Sequence, residues 1–124
     1  MCEYNNRNTG TIGEDIAAGY LSTLGYEIIK RNFQYSNFGE IDIIAKDKNV
    51  LVFVEVKANR TSQFGNPVLR VGISKQRQIY KVAQIYMLYN NIRNTDCRFD
   101  VIAIEMGYEK NEITHIENAF SIVL

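Results

Sequence analysis

The sequence predicts an α/β fold, a mixed central β-sheet flanked by α-helices, and three observations carry that expectation. Apolar residues recur at helical spacing in two separate stretches, near residues 11–24 and 75–89. Between and beyond them lie runs rich in Val, Ile and Phe that alternate as strands do. The resulting order, α-β-β-β-α-β-β, places helices on the faces of one sheet. A chain of 124 residues has room for one core, so a single domain spanning 1–124 is expected.

Taken in order, residues 1–10 are polar and expected to be loosely ordered. The first helix follows over residues 11–24, where Ile16, Ala17, Tyr20, Leu21 and Leu24 form a stripe and Thr11-x-x-Glu14 reads as a capping box. Gly25 ends it, and residues 26–32, YEIIKRN, form a short strand. A hairpin occupies residues 40–57. Residues 58–74 contain Gly65, Pro67 and Gly72 and read as a loop with a short extended piece over 68–71. Ser74 is placed as the cap of a second helix over 75–89, with Ile79, Val82, Ala83, Tyr86 and Tyr89 on one stripe. Two further strands, 98–105 and 112–117, flank a polar turn over 107–111.

Composition narrows the class. An apolar fraction of 46% and a charged fraction of 23% are those of a soluble globular protein. No apolar run approaches the roughly 20 residues that span a bilayer, and MCEYNNRNTG lacks the layout of a signal peptide. A cytoplasmic protein without a membrane partner is expected, with Cys2 and Cys97 as reduced thiols. The net charge of zero hides an uneven distribution. Residues 56–98 hold 8 basic and 1 acidic residue, whereas 1–55 hold 5 and 8, and 99–124 hold 1 and 5. Two readings of this basic segment stand side by side: a phosphate-contacting patch of Lys57, Arg60, Arg70, Lys75, Arg77, Lys81, Arg93 and Arg98, or a solvated helix face with its loop.

The hairpin carries the chemistry. Its sequence, GEIDIIAKDKNVLVFVEVK over residues 39–57, sets Glu40, Asp42, Glu55 and Lys57 inside otherwise apolar strands. A two-residue loop, Lys48-Asn49, pairs Asp47 with Val50 and brings Asp42 opposite Glu55. A four-residue loop over 46–49 pairs Ala45 with Val50 and leaves the two acids diagonal on one face, whereas a three-residue loop puts them on opposite faces. The even loops are favoured because they put Ile41 and Ile43 on one apolar face with Val50, Val52, Val54 and Val56. Opposed carboxylates destabilise a sheet unless a cation or proton lies between them. A divalent metal, Mg²⁺ or Mn²⁺, held by Asp42 and Glu55 answers that demand and suits phosphodiester hydrolysis. Lys57, two residues beyond Glu55 on the same face, is placed to orient water or to stabilise the charge of a pentavalent phosphate. Alone, E-x-K is a weak signal, equally a surface ion pair of little worth.

Other candidates divide between function and structure. Glu14 is either a fourth member of the acidic group or simply the third residue of a capping box. Glu40 is a weaker candidate on the face of Asp42, or a solvated strand-end charge. His115 is the sole histidine, which removes His-rich zinc sites and leaves a structural role as the expectation. Phe64, in the Gly-rich loop, is the aromatic placed to stack on a nucleotide. Tyr86 and Tyr89 form a core stripe or a homodimer surface.

These residues resemble a known pattern. Asp42 followed by Glu55-Val56-Lys57, behind a helix carrying Glu14, resembles the PD-(D/E)xK nuclease core of restriction endonucleases and archaeal Holliday junction resolvases. More closely, G-E-D-x-A-A at 13–18, G-E-I-D-I-I-A at 39–45, V-F-V-E-V-K at 52–57, F-G-x-P at 64–67 and R-F-D-V-I at 98–102 are similar to the YraN-like family of bacterial predicted endonucleases. The resemblance implies a restriction-endonuclease-like fold and a metal-dependent phosphodiesterase site at Glu14, Asp42, Glu55 and Lys57. It also implies nucleic acid, DNA first, as partner, acted on by a nuclease or bound by a non-catalytic module of the same fold.

Overall fold

The computed structural model describes residues 8–60 and 71–121. Over these residues the chain runs α1 (Asn8–Thr23), β1 (Glu27–Tyr35), β2 (Gly39–Asp47), β3 (Val50–Asn59), α2 (Ile73–Tyr89), β4 (Cys97–Met106) and β5 (Asn111–Phe120). Phe64, Arg70, Cys2 and most of the extended piece expected over 68–71 lie outside the described residues.

The five strands form one sheet in sequence order, β1-β2-β3-β4-β5, antiparallel except for the parallel pair β3/β4. That parallel pair follows from connectivity. Helix α2 is the crossover between β3 and β4, and a parallel pair needs a crossover of this length. The sheet is therefore mixed and the fold α/β, compatible with a restriction-endonuclease-like architecture.

Each helix covers one face. Ala17 and Leu21 of α1 are fully buried against Ile43, Ala45, Val52, Val54, Ile102 and Ile104. Helix α2 buries Ile79, Val82, Ala83 and Tyr86 against Ile44, Leu51, Phe53, Phe99 and Val101. Strand alternation explains the division, since even and odd positions of β3 point to opposite faces. Tyr86 rests edge-on against Phe33 and Phe53 inside this core, which removes it from any dimer surface; Tyr89 is exposed.

Helix boundaries depart from expectation in an informative way. Helix α1 begins at Asn8, before Thr11, so Thr11 and Glu14 are not a capping box. Its C-terminus follows the sequence reading: Gly25 adopts φ 95°, and Gly25 N–H and Tyr26 N–H donate to Ser22 and Leu21 carbonyls. Helix α2 is preceded by Gly72 as its N-cap without a side-chain capping bond, so Ser74 lies inside the first turn and is not the cap.

Among the described residues no helix is long and apolar enough to cross a membrane. Cys97 is a free, exposed thiol.

Candidate active site

The β2/β3 hairpin has the two-residue loop expected, with Asp47 opposite Val50 and Lys48 at φ 58°. The ladder continues to Ile43 opposite Val54 and stops there. One step further, where Asp42 would meet Glu55, the strands part company. Val56 N–H donates to the Asp42 carboxylate instead, Oδ2 at 2.8 Å. Alternation fails at the same point. Ile41 packs with Ile44 in the α2-side core, not with Ile43 and the valines as the sequence suggested. β2 has left β3 here but stays paired with β1 as far as Gly39, and the irregularity shows in β1 as well, where Asn32 takes φ 55° between the residues paired with Ile43 and Ile41.

The opening between the strands gathers acids from both sides of the sheet. Glu14 approaches from α1, and one carboxylate oxygen from each of Glu14, Glu40 and Asp42 falls within 4.8 Å of the others. On the α2 side, Glu55 stands within hydrogen-bonding reach of Asp42. Asp42 is thus the residue common to both halves. With the capping role of Glu14 gone, its place in this group is its evident position in the fold. Asn32 hydrogen-bonds the Glu14 carboxyl and Arg31 lies 3.8 Å from it, while Arg31 makes its closer ion pair with Asp15 at 2.7 Å.

Burial first, and then charge crowding, raises the proton affinity of Glu14 and Glu55, and burial raises that of Asp42. Burial, followed by the charge of Asp42, pushes the Glu14 carboxyl up to about 7. The same two causes push Glu55 up to about 7, against opposing pulls from Lys75 and Lys57. Asp42 is also raised, chiefly by burial, although the Val56 N–H and the Lys75 charge hold it back. The side chains of Glu14 and Glu55 are only 16% and 15% exposed, so water screens little of this repulsion. An all-carboxylate donor set with excess negative charge suits a hard divalent cation such as Mg²⁺ or Mn²⁺.

Two lysines complete the electrostatics. Lys57 is near enough to favour the ionised form of Glu55. Lys75, which the sequence offered only as part of a basic patch, reaches the site itself, its Nζ 3.9 Å from Glu55 Oε2. It sits in the first turn of α2, and nothing local in the sequence links that turn to β3. Arg77 and Lys81 are exposed further along α2. Arg60 is exposed beyond β3 and donates from Nε to Thr9 Oγ1 at 3.1 Å, outside the acidic group.

A second polar cluster, which the sequence reading missed, lies on β4 and β5. Asp100 is fully buried and accepts from Arg98 Nε at 3.0 Å and from Asn118 N–H at 2.9 Å, and shares a 2.8 Å hydrogen bond with His115 Nε2. Tyr20 of α1 closes the chain at His115 Nδ1, 3.1 Å away. Arg98 also donates to Tyr26 and Asp47 and lies 3.9 Å from Glu117, so it is held within this cluster and does not join the phosphate-contacting patch that the sequence suggests. His115 is thus held between Tyr20 and Asp100, its side chain only 6% exposed. Opposite Asp100, β5 bulges: Phe99 pairs with Phe120 but Val101 with Ile116, and Asn118 takes φ 53°.

A mixed sheet between two helices, with carboxylates converging where a hairpin opens, defines a class of α/β protein with a candidate acidic site. Within that class, this chain belongs to the family described as Uncharacterised protein family UPF0102, which it matches over residues 13–104. That is the YraN-like family which its motifs resemble. A UPF0102 protein of Caldanaerobacter subterraneus subsp. tengcongensis is 43% identical over 123 residues, covering 97% of this chain and all of the relative. A second, from Geobacter sulfurreducens, is 46% identical over 120 residues, covering 96% and 93%. A third, from Clostridium botulinum, is 44% identical over 122 residues, covering 96% and 98%.

Proposed function

We propose that this protein is a metal-dependent endonuclease of the PD-(D/E)xK type that hydrolyses phosphodiester bonds in DNA. The observation that supports it most is the convergence on Asp42: Glu14 and Glu40 from one side, Glu55 from the other, at the place where the β2/β3 ladder ends. Four carboxyl groups held together against their mutual repulsion need a reason, and binding Mg²⁺ or Mn²⁺ supplies one. A divalent cation there would neutralise charge on the scissile phosphate and acidify water.

The remaining roles belong to the chain. Asp42 and Glu55 hold the cation, with Glu40 and Glu14 as further oxygen donors. Without a cation the Glu14 carboxyl sits at about 7, and a bound cation would draw it down, so loading the site would release a proton from Glu14. Lys57 stabilises charge developing on the phosphate, and Lys75 keeps Glu55 oriented through their contact.

Calorimetric titration of Mg²⁺ and Mn²⁺ tests the reading, followed by cleavage of labelled flapped, branched and single-stranded DNA. Wild type should bind and cut. Asp42→Asn/Glu55→Gln should do neither, while Lys57→Ala should retain cation binding and cut roughly 100-fold more slowly. Salt-sensitive DNA binding without cleavage in any metal would replace the nuclease with a non-catalytic binding module.

A further inference from the structure

Phe38 occupies the turn between β1 and β2, in the polar sequence Tyr-Ser-Asn-Phe-Gly, and is 45% exposed. The ring is held on the surface by a rigid support. Phe38 N–H donates to the Tyr35 carbonyl at 2.9 Å, closing the turn, and Gln78 Nε2 of α2 donates to the Phe38 carbonyl at 2.6 Å. Gly39 allows this approach, because a Cβ there would meet Gln78 Cγ at 2.6 Å. The Lys81 ammonium stands 5.9 Å from the centre of the Phe38 ring.

The surroundings are those of an anion path. Helix α2 carries Lys75, Arg77 and Lys81, all exposed, and no acidic residue. Lys75 lies against Glu55 of the acidic group, and Lys81 lies against Phe38, ~9 Å further along the helix axis. From the other direction, Phe38 is two residues from Glu40 of the same acidic group, ~7 Å along an extended chain. An exposed ring beside one lysine, on a helix whose first turn brings a second lysine to the acidic group, has the makings of a base-stacking platform one or two nucleotide steps from a hydrolytic site.

We propose that Phe38 stacks on an unpaired nucleobase while Lys75 and Lys81 contact the adjoining phosphates, so that the substrate is single-stranded or locally unpaired beside the scissile bond. A paired base keeps its faces inside the duplex stack and has none to offer the ring. The inference rests on the nuclease reading for its scissile bond, but the stacking itself needs no cleavage.

The test uses the full chain in metal-free, low-salt buffer with a single-stranded 12-mer oligodeoxynucleotide carrying 2-aminopurine at each position in turn. The expected result is a fluorescence change at one or two positions that Phe38→Leu abolishes, with affinity falling about ten-fold, and that Phe38→Trp preserves. Lys81→Ala should lower the salt slope of binding by about one. The same fluorescence and affinity in wild type and Phe38→Leu, no binding by wild type, or a duplex bound as tightly as the single strand overturns the proposal. Cleavage assayed in parallel separates the two ideas. Phe38-dependent stacking without cleavage in Mn²⁺ leaves the platform standing and removes the nuclease, and cleavage by a protein whose fluorescence and affinity do not change in Phe38→Leu does the reverse.

Discussion

Val56 N–H donates to Asp42 Oδ2 across 2.8 Å, and it does so one step past the last β2/β3 ladder pair. A main-chain donor that would otherwise lack its strand partner is satisfied by a side chain, and that side chain is fixed at the mouth of the acidic group. The bond stabilises the ionised carboxylate, yet burial still raises the Asp42 carboxyl from its ordinary value. Structure and charge are at odds here, and the substitutions below separate them.

Asp42→Asn keeps an oxygen for the Val56 N–H and removes the negative charge. The Glu14 and Glu55 carboxyls should then fall toward ordinary values, because Asp42 is the second cause raising each. We expect the metal-free variant to melt several degrees higher than wild type at pH 7.5, with divalent affinity at least ten-fold weaker. Thermal melts with and without Mn²⁺ decide it. A variant that melts lower would make Asp42 a structural carboxylate.

Stability should also depend on pH in an unusual sense for carboxyl groups. Glu14 and Glu55 sit at about 7 in the folded chain against 4.5 for a free glutamate, so folding favours their protonated forms. Their contribution is full below about pH 4.5 and is lost as pH rises through 7. Metal-free protein should therefore lose ~5 °C of melting temperature between pH 5 and 7.5, Glu55→Gln should flatten that slope, and Mn²⁺ should raise the melt more at pH 7.5 than at pH 5. Parallel slopes in wild type and Glu55→Gln would contradict the assignment.

Period-two alternation narrows the hairpin to an even loop but cannot choose between two residues and four; the structure has the two-residue loop, with Asp47 facing Val50. Alternation could not reveal where the ladder stops or where β1 becomes irregular. For that reason Ile41 was placed on the wrong face, and Glu40 was undervalued as a strand-end charge although it joins Glu14 and Asp42. The capping-box reading of Thr11 and Glu14 failed because a short polar signature fits a helix interior as well as its start. Lys75 near Glu55 and the Asp100–His115 bond are long-range contacts, set by how α2 and β5 return to the sheet. Composition carries no trace of them.

The buried Asp100 gives the opposite pH response. Burial favours its protonated form, but hydrogen bonds from His115, Arg98 and the Asn118 N–H outweigh that and lower its pKa. Its contribution is present above about pH 4 and is lost as pH falls through the lower folded-state value. Asp100→Asn leaves the Arg98 guanidinium short of its buried counter-charge and should cost about 3 kcal/mol or more in urea unfolding at neutral pH. The variant should also show a shallower loss of stability in acid. A cost under about 1 kcal/mol would mean that Tyr26, Asp47 and Glu117 suffice for Arg98.

Two glycines of α1 give a matched test of how the helix delivers Glu14. At Gly13 an added Cβ would collide with the Ala58 side chain of β3, whereas at Gly19 it would meet open space. Alanine favours a helix interior over glycine by ~1 kcal/mol, so Gly19→Ala should stabilise by roughly 0.5–1 kcal/mol. Gly13→Ala has the same helical gain but must push α1 away from β3, an overpacking cost of ~1–3 kcal/mol. Displacement at Gly13 also moves its neighbour Glu14 from Asp42. Gly13→Ala should thus weaken divalent binding several-fold while Gly19→Ala leaves it unchanged. Melting temperatures and calorimetric titrations on both variants check the two expectations together. Equal stabilisation by both would show that α1 does not need the close contact with β3 to position its carboxylate.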